Sequence, residues 1–288
     1  MTAEELRPLM LSIGYRMVGS FSEAEDLVQE AFLRLHEAGA VSSPKAWLTT
    51  VLTRLCIDHL RSARVRREQY PGPWLPEPVL ADPAPAAAER AESLSMAVLV
   101  LLESLTPVER AVFVLHDVFD YGYDEIAEIV AKTPENCRQL AARARRHVDE
   151  RRPRFEPSRE QRDELARRFV AALHEGETER LVELLAADAA FHGDGGGKAS
   201  AVPELHGRDH VARVLAGFGR VGVRRGATAR LVELNAQPGV LAFEADGTLV
   251  AAWALQISDG AIQAIHGVTN PDKLAHISRT ILPSLPPA

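Results

Sequence analysis

Apolar residues in the first part of the chain recur every three to four positions, the period of a helix with one buried side. In "SEAEDLVQEAFLRL" they are Leu27, Val28, Ala31, Phe32 and Leu35, and in "SPKAWLTTVLTRLCIDHLRSARVRRE" they are Trp47, Leu48, Val51, Leu52 and Leu55. The first helix is expected to open at Ser22, with Glu25 completing a capping box, and the second at Ser43, with Pro44 at its first position. "YPGPWLPEPVLADPAPAAAE" then places six prolines in twenty residues. No helix or central strand tolerates this, and the stretch reads as an extended, semi-rigid linker.

The helical period resumes near residue 90 in "AESLSMAVLVLLESL", continues after a Thr106 cap and Pro107 in "TPVERAVFVLHDVF", and again in "YDEIAEIVAKTPENCRQLAARARRHV". Beyond "RRPRFEPS" the pattern changes. A long amphipathic helix (Leu165, Phe169, Leu173) and a short one lead to "HGDGGGKA", and from about residue 227 the alternation is of strand type. Asp246-Gly247 and Asp259-Gly260 are strong hairpin signals. The expected architecture is multidomain. All-α units span 1–68 and 93–152, joined by a proline-rich linker over 69–92, and an α+β domain with an antiparallel sheet spans 158–282.

A length of 288 residues fits two or three domains. With 46% hydrophobic and 25% charged residues the composition is that of a soluble globular protein, and no apolar run is long enough to span a membrane. "MTAEELRPLM" lacks the basic start and apolar block of a secretory signal, so a cytoplasmic location is expected. Cys56 and Cys137 lie in apolar helical stretches and read as core residues rather than as a disulfide or metal site. The net charge of −7 conceals a reversal: residues 1–40 hold 3 basic and 7 acidic groups, residues 41–68 hold 6 and 2. A uniform nucleic-acid coat would not change sign in this way. One acidic partner surface beside one polyanion-facing surface would.

Residues 123–148 have the shape of a helix-turn-helix. Ile126, Ala127 and Val130 line a short first helix, Thr133 caps and Pro134 starts the second, and Cys137, Leu140, Ala141 and Ala144 give the second its apolar side. Glu135, Asn136, Arg138, Gln139, Arg143 and Arg146 are left outward, a set whose amide and guanidinium groups suit base edges and phosphates. An ordinary helical hairpin with a solvated basic face has the same pattern. Arg61, Arg64, Arg66 and Arg67 at the end of the earlier helix are equally ambiguous, because cations also complement a helix C-terminus. Two basic helices joined by a stiff linker fit one elongated nucleic acid touched twice.

"DLVQEAFLRL", "PKAWLTTVLTRLCIDHLRSARVRRE" and "LTPVERAVFVLHDVFDYGYDEIAEIVAKTPENCRQLAARARRHV" together resemble the two domains of an extracytoplasmic-function RNA polymerase sigma factor. The remainder resembles the SnoaL-like cone. With "WLPEP", "DGGGK" and "NPDKL", the chain as a whole is similar to sigma factors of the sigma J type, which carry a fused SnoaL-like domain. The resemblance implies that Glu25, Asp26, Gln29 and Glu30 dock on bacterial core polymerase. It also implies that the helix bearing Arg54 and the later arginines meets the minus-ten promoter element, and that the helix-turn-helix reads the minus-thirty-five element. The loop "HEAGAVSSP" departs from this, having no aromatic residue on which an extruded base could stack, an interaction worth about 1–3 kcal/mol per base.

"HGDGGGKA" is not expected to be a phosphate loop, because no strand is read before it, no helix opens after it and no hydroxyl follows the lysine. It reads as a docking loop in which Asp194, Gly195, Gly196, Gly197 and Lys198, with Asn270, Pro271, Asp272 and Lys273 of the later motif, receive Trp74, Leu75 and Pro76 of the linker. An alternative class is a cyclase or isomerase fused to a DNA-binding module, with His192, Asp194, Asp246 and His266 as acid–base candidates. Asp246 sits in a hairpin turn and Asp194 in the glycine loop, so no convergent pair is evident and a non-enzymatic cone is favoured. His206 and His210 have no third ligand, and neither a metal nor a cofactor is expected. Phe169, Phe191, Phe218 and Trp253 read as core or as the lining of an apolar cavity for a small molecule.

Overall fold

The computed structural model describes residues 4–80, 94–149, 157–200, 202 and 204–281, with the backbone alone at 64–68 and 149. They form two compact units. One comprises residues 4–69 and 98–149; the other comprises residues 70–80 and 157–281 together with Ser95–Ala97.

In the first unit, helix α1 (Arg7–Val18) ends where Gly19 turns left-handed at φ 73° and donates to the Tyr15 carbonyl, a conformation that favours glycine. Only Ser20 then separates it from α2 (Phe21–Ala38). The cap of α2 is therefore Ser20, not the expected Ser22, and its hydroxyl accepts from the Glu23 backbone N–H at 3.2 Å. The reason is tertiary: Phe21 is buried against the Tyr15 ring, which draws it into the first helical turn. Helix α3 (Pro44–Glu68) starts as expected, with Ser43 accepting from Ala46 N–H.

Helix α4 (Met96–Leu102) is followed by α5 (Pro107–Phe113), which opens with a full Thr106–Glu109 capping box. A π-helical turn (Val114–Val118) and the pair α6 (Tyr123–Val130) and α7 (Pro134–Asp149) complete the unit. Polar side chains stitch its core. Buried Arg110 donates to the Met17 carbonyl at 2.7 Å and pairs with Glu103 at 2.6 Å, and the Thr49 and Tyr121 hydroxyls are 2.9 Å apart.

The second unit holds α8 (Arg159–Glu175) and α9 (Thr178–Leu184), then strand β1 (Leu185–Asp194), β2 (Glu204–His206), α10 (Arg208–Arg224), β3 (Thr228–Leu234), β4 (Gln237–Phe243), β5 (Leu249–Ser258), β6 (Ala261–Val268) and α11 (Pro271–Ile281). The strands make one sheet in the order β2-β1-β6-β5-β4-β3. Asp259 and Gly260 both have positive φ, as a two-residue type I′ hairpin requires. Four pairings are antiparallel as expected, whereas β1 and β6 run parallel. The short helix therefore does not lead directly to the glycine loop: the ten residues of β1 intervene, and Asp194 is the last residue of that strand. Phe169, Leu181, Leu215, Leu255 and Ile265 are in the core between helices and sheet.

Candidate functional site

Four surfaces carry the residues singled out by sequence. On α7, Cys137, Ala141 and Ala144 are fully buried against the first unit, together with Ile126 and Ala127 of α6. Ala131 takes the left-handed conformation between the two helices, and Thr133 accepts from Asn136 N–H at 3.2 Å. Glu135, Arg138, Gln139, Arg143 and Arg146 are exposed and Asn136 half-buried. The Arg138 guanidinium lies 5.5 Å above the Tyr123 ring, which orients it without neutralising it. Arg145, absent from the expected set, pairs with Asp117, which raises its pKa.

Arg54 behaves differently from its neighbours. Its Nε and Nη2 donate to the carbonyls of Ile129 (2.9 Å) and Glu128 (3.0 Å), closing the C-terminal turn of α6, where carbonyls lack intrahelical partners. Arg61 is exposed and pairs with Asp58, one turn away; the side chains of Arg64, Arg66 and Arg67 lie outside the described residues. Trp47 is half-buried rather than buried, and with Ser42, Ser43, Thr50 and Arg54 it lines a pocket of about 340 Å³. The aromatic missing from the α2–α3 loop thus stands beside that loop, on α3.

On α2, Glu25, Asp26 and Gln29 are exposed, and Glu30 pairs with Arg34 at 2.8 Å. Leu33 is 54% exposed and shares their face at helical spacing. The sequence reading passed over it, because a lone leucine outside the apolar stripe signals nothing by itself.

The fourth surface, within the second unit, is a buried polar clasp. The Asp194 carboxylate accepts from the Tyr70 hydroxyl at 2.6 Å, from the Leu75 backbone N–H at 2.9 Å and from Lys273 Nζ at 2.6 Å. Lys273 also donates to the Leu75 carbonyl at 2.5 Å, and its ammonium lies 4.1 Å from the Trp74 ring centroid. Asn270 donates to the Tyr70 oxygen at 2.9 Å. Burial, and then the hydrogen bond to Asp194, raises the Tyr70 pKa, so the phenol stays protonated and donates. A second hold lies further along, where Val79 and Asn235 exchange hydrogen bonds of 2.8 and 3.1 Å.

Leu75 and Pro76 are buried and Trp74 is half-buried. The glycines make room: a Cβ on Gly196 (φ 58°) would stand 2.3 Å from Asn270 Nδ2, and one on Gly197 3.0 Å from the Pro71 ring. Gly195 accepts from Lys198 N–H in the tight turn between them. Among the described residues Lys198 pairs with Asp272 in the first turn of α11, the helix that begins at Pro271, and not with the linker.

Of the acid–base candidates only the two histidines meet. Asp194 is held in the clasp, and Asp246 accepts from Thr248 N–H in its own hairpin, which keeps its pKa low. His192 and His266 are register partners with rings stacked at 5.3 Å. Burial holds both below the ordinary imidazole range, His266 at about 3. Among the described residues no cluster of histidine, cysteine or acidic groups is fit to hold a metal, and no helix is long and apolar enough to cross a membrane.

These features agree with what the chain is similar to. Residues 2–66 match the model for Sigma-70 region 2, and residues 95–148 that for Sigma-70 region 4. The ECF RNA polymerase sigma factor SigJ of Mycobacterium tuberculosis is 38% identical, with 94% of this chain and 91% of that protein covered. The probable ECF sigma factor SigI of the same organism is 34% identical over 93% and 92%. The crystal structure of the M. tuberculosis extracytoplasmic-function sigma factor SigJ superposes with a TM-score of 0.74 at 34% identity, covering 94% and 96% of the two chains. The chain belongs to the extracytoplasmic-function family of RNA polymerase sigma factors, and the cone fused to its sigma regions is shared with SigJ.

Proposed function

We propose that this sigma factor directs bacterial core RNA polymerase to its promoters through separate surfaces, with the cone regulating them through the linker. Residues 1–68 bind polymerase through Glu25, Asp26, Gln29 and Glu30, with Leu33 as an apolar anchor. The same segment meets the minus-ten element through Arg61, Arg64, Arg66 and Arg67, and the pocket beside Trp47 receives an extruded base. Arg54 joins that contact only when it releases the α6 carbonyls. Residues 93–152 read the minus-thirty-five element through Glu135, Asn136, Arg138, Gln139, Arg143 and Arg146.

The observation that carries this reading is α7, whose inner side is sealed by Cys137, Ala141 and Ala144 while the side chains suited to base edges and phosphates stand outward. Trp74, Leu75 and Pro76, held by Asp194, Asn270 and Lys273 within 158–282, transmit the state of the cone to the linker over 69–92.

The cone acts without catalysis. What supports this is the strand alternation. Phe191 and Gly193 face one side of the sheet, where a cavity opens, while His192 and Asp194 face the other, so the acid–base candidates do not look into that space. A cytoplasmic location follows from work on polymerase and chromosomal DNA.

Run-off transcription by purified core polymerase tests the reading. Transcripts that depend on the added chain, and a promoter gel shift seen only with polymerase present, are expected. A tight shift without polymerase and no transcript would identify a repressor instead.

A further inference from the structure

Between α10 and the sheet of the second unit lies a cavity of about 710 Å³, within the range of small-molecule sites. Its wall is an aromatic trio: Phe191, Phe218 and Trp253 have ring centroids 5.9 to 6.4 Å apart. At the mouth Phe218, Val221 and Val223 of α10 are 38, 39 and 46% exposed, an unusual density of apolar surface in contact with water. Most of the lining is apolar; its polar side chains include His174, Arg225, Glu244 and Trp253.

One of them is unsatisfied. Trp253 is only 8% exposed, and its indole N–H has no hydrogen-bond partner among the described residues. A Cβ on Gly267 would stand 2.7 Å from Phe191 Cζ and 3.2 Å from Trp253 Nε1, so the glycine is what lets both rings lie against this strand. A buried donor without an acceptor costs about 1–3 kcal/mol, and a ligand acceptor would remove that penalty.

We infer that this cavity binds a flat, largely apolar molecule with a carbonyl acceptor, which stacks among Phe191, Phe218 and Trp253 and takes the Trp253 hydrogen bond. Its occupancy is sensed by the linker clasp, an inference that rests on the regulatory role proposed for the cone. The route is short. Gly193 lines the cavity and the next residue, Asp194, is the hub of the clasp; Thr269 lines it and the next residue, Asn270, holds Tyr70. The Thr269 and Asn270 N–H groups both donate to the Asp194 carbonyl, so the two cavity strands and the clasp share hydrogen bonds.

The test uses the full chain with two probes that differ only in the acceptor, 2-acetylphenanthrene and 2-ethylphenanthrene. Fluorescence titration is expected to show the acetyl probe binding about five- to tenfold tighter, the value of one hydrogen bond to a buried donor. The Trp253 indole N–H resonance, assigned by its loss in Trp253→Phe, is expected to move downfield with the acetyl probe alone. Trp253→Phe should bind the two probes equally. Gly217→Leu fills the cavity from α10 at a position where a Cβ meets nothing within 4 Å, and is expected to weaken both probes at least tenfold with the melting temperature retained. The acetyl probe should also shift the Trp74 indole resonance and change thermolysin cleavage over 70–80 at least twofold.

No binding at the solubility limit, or binding that Gly217→Leu leaves unchanged, overturns the site. Binding with Trp74 and cleavage unmoved overturns the coupling. Neither readout uses polymerase or DNA, so failure here is distinct from failure of the sigma-factor reading, which run-off transcription decides.

Discussion

Lys273 Nζ stands 2.6 Å from Asp194 Oδ2, with the two side chains 10% and 0% exposed. A charge pair this deep is tolerated only because the rest of the carboxylate is satisfied, by the Tyr70 hydroxyl and the Leu75 N–H. Removing one partner leaves an uncompensated buried charge, whereas removing both restores neutrality. Lys273→Met is therefore expected to destabilise the protein by about 3–5 kcal/mol. Adding Asp194→Asn should recover part of that loss. Urea unfolding of the single and double variants measures both terms, and costs that simply add would show that the pair is not coupled.

The fit of Gly196 against Asn270 and Tyr70 gives a milder test. Gly196→Ala combines a positive φ with a 2.3 Å approach to Asn270 Nδ2, so it should push the linker from its seat while the sheet keeps its register. Faster thermolysin cleavage within residues 70–80, with far-UV circular dichroism unchanged, is the expected result. Gly247→Ala, where a Cβ meets nothing within 4 Å, is the control and should leave cleavage at the wild-type rate.

On α7 the expected outcomes separate two arginines seven positions apart. Arg138 is exposed and pairs with no acid among the described residues, so Arg138→Ala should weaken promoter binding by the polymerase complex by about 1–3 kcal/mol if it reads a base. If it meets only a phosphate, the salt dependence of binding should instead lose about one unit of slope. Arg145 is tied to Asp117, and Arg145→Ala should leave promoter binding within twofold. Filter binding over a series of salt concentrations distinguishes all three outcomes.

His266 supplies a pH dependence whose sign is fixed by its burial. Its folded-state pKa is lowered to about 3, while the unfolded chain takes up the proton near 6.5. The unfolded state binds more protons below that value, so stability is full at neutral pH and falls as the medium is acidified from about 6.5 toward 3. At pH 5 the loss from this residue is about 2 kcal/mol. His192, also lowered by burial, acts in the same direction. Melting temperatures should drop between pH 7 and pH 5, and His266→Gln should flatten that drop.

Arg54 offers the last contrast. Its two bonds to the α6 carbonyls involve a charged donor, so Arg54→Ala should cost about 1.5–3 kcal/mol in the first unit. Hydrogen exchange is expected to quicken at the end of α6 more than at the start of α3.

What the sequence determined by itself is whatever a few neighbouring residues decide. Thr106, Thr133 and Ser43 cap their helices because a hydroxyl beside free N–H groups needs only the next turn. Asp259-Gly260 turns its hairpin because both residues accept positive φ. The outward face of α7 and the change of charge between α2 and α3 follow from helical period and composition alone.

The tertiary structure decided the rest, because the deciding contacts come from far along the chain. β1 escaped notice because "LAADAAFHGD" lacks β-branched residues, and it is held as a strand by its parallel pairing with β6 and its antiparallel pairing with β2. Ser20 replaced Ser22 as a cap because Phe21 packs on Tyr15. Asp194 and Leu75 could be named as partners across 119 positions, but Tyr70, 124 positions away, could not, nor which donors the carboxylate accepts from. Those separations must first be closed by folding before a buried carboxylate finds the donors that make its burial tolerable.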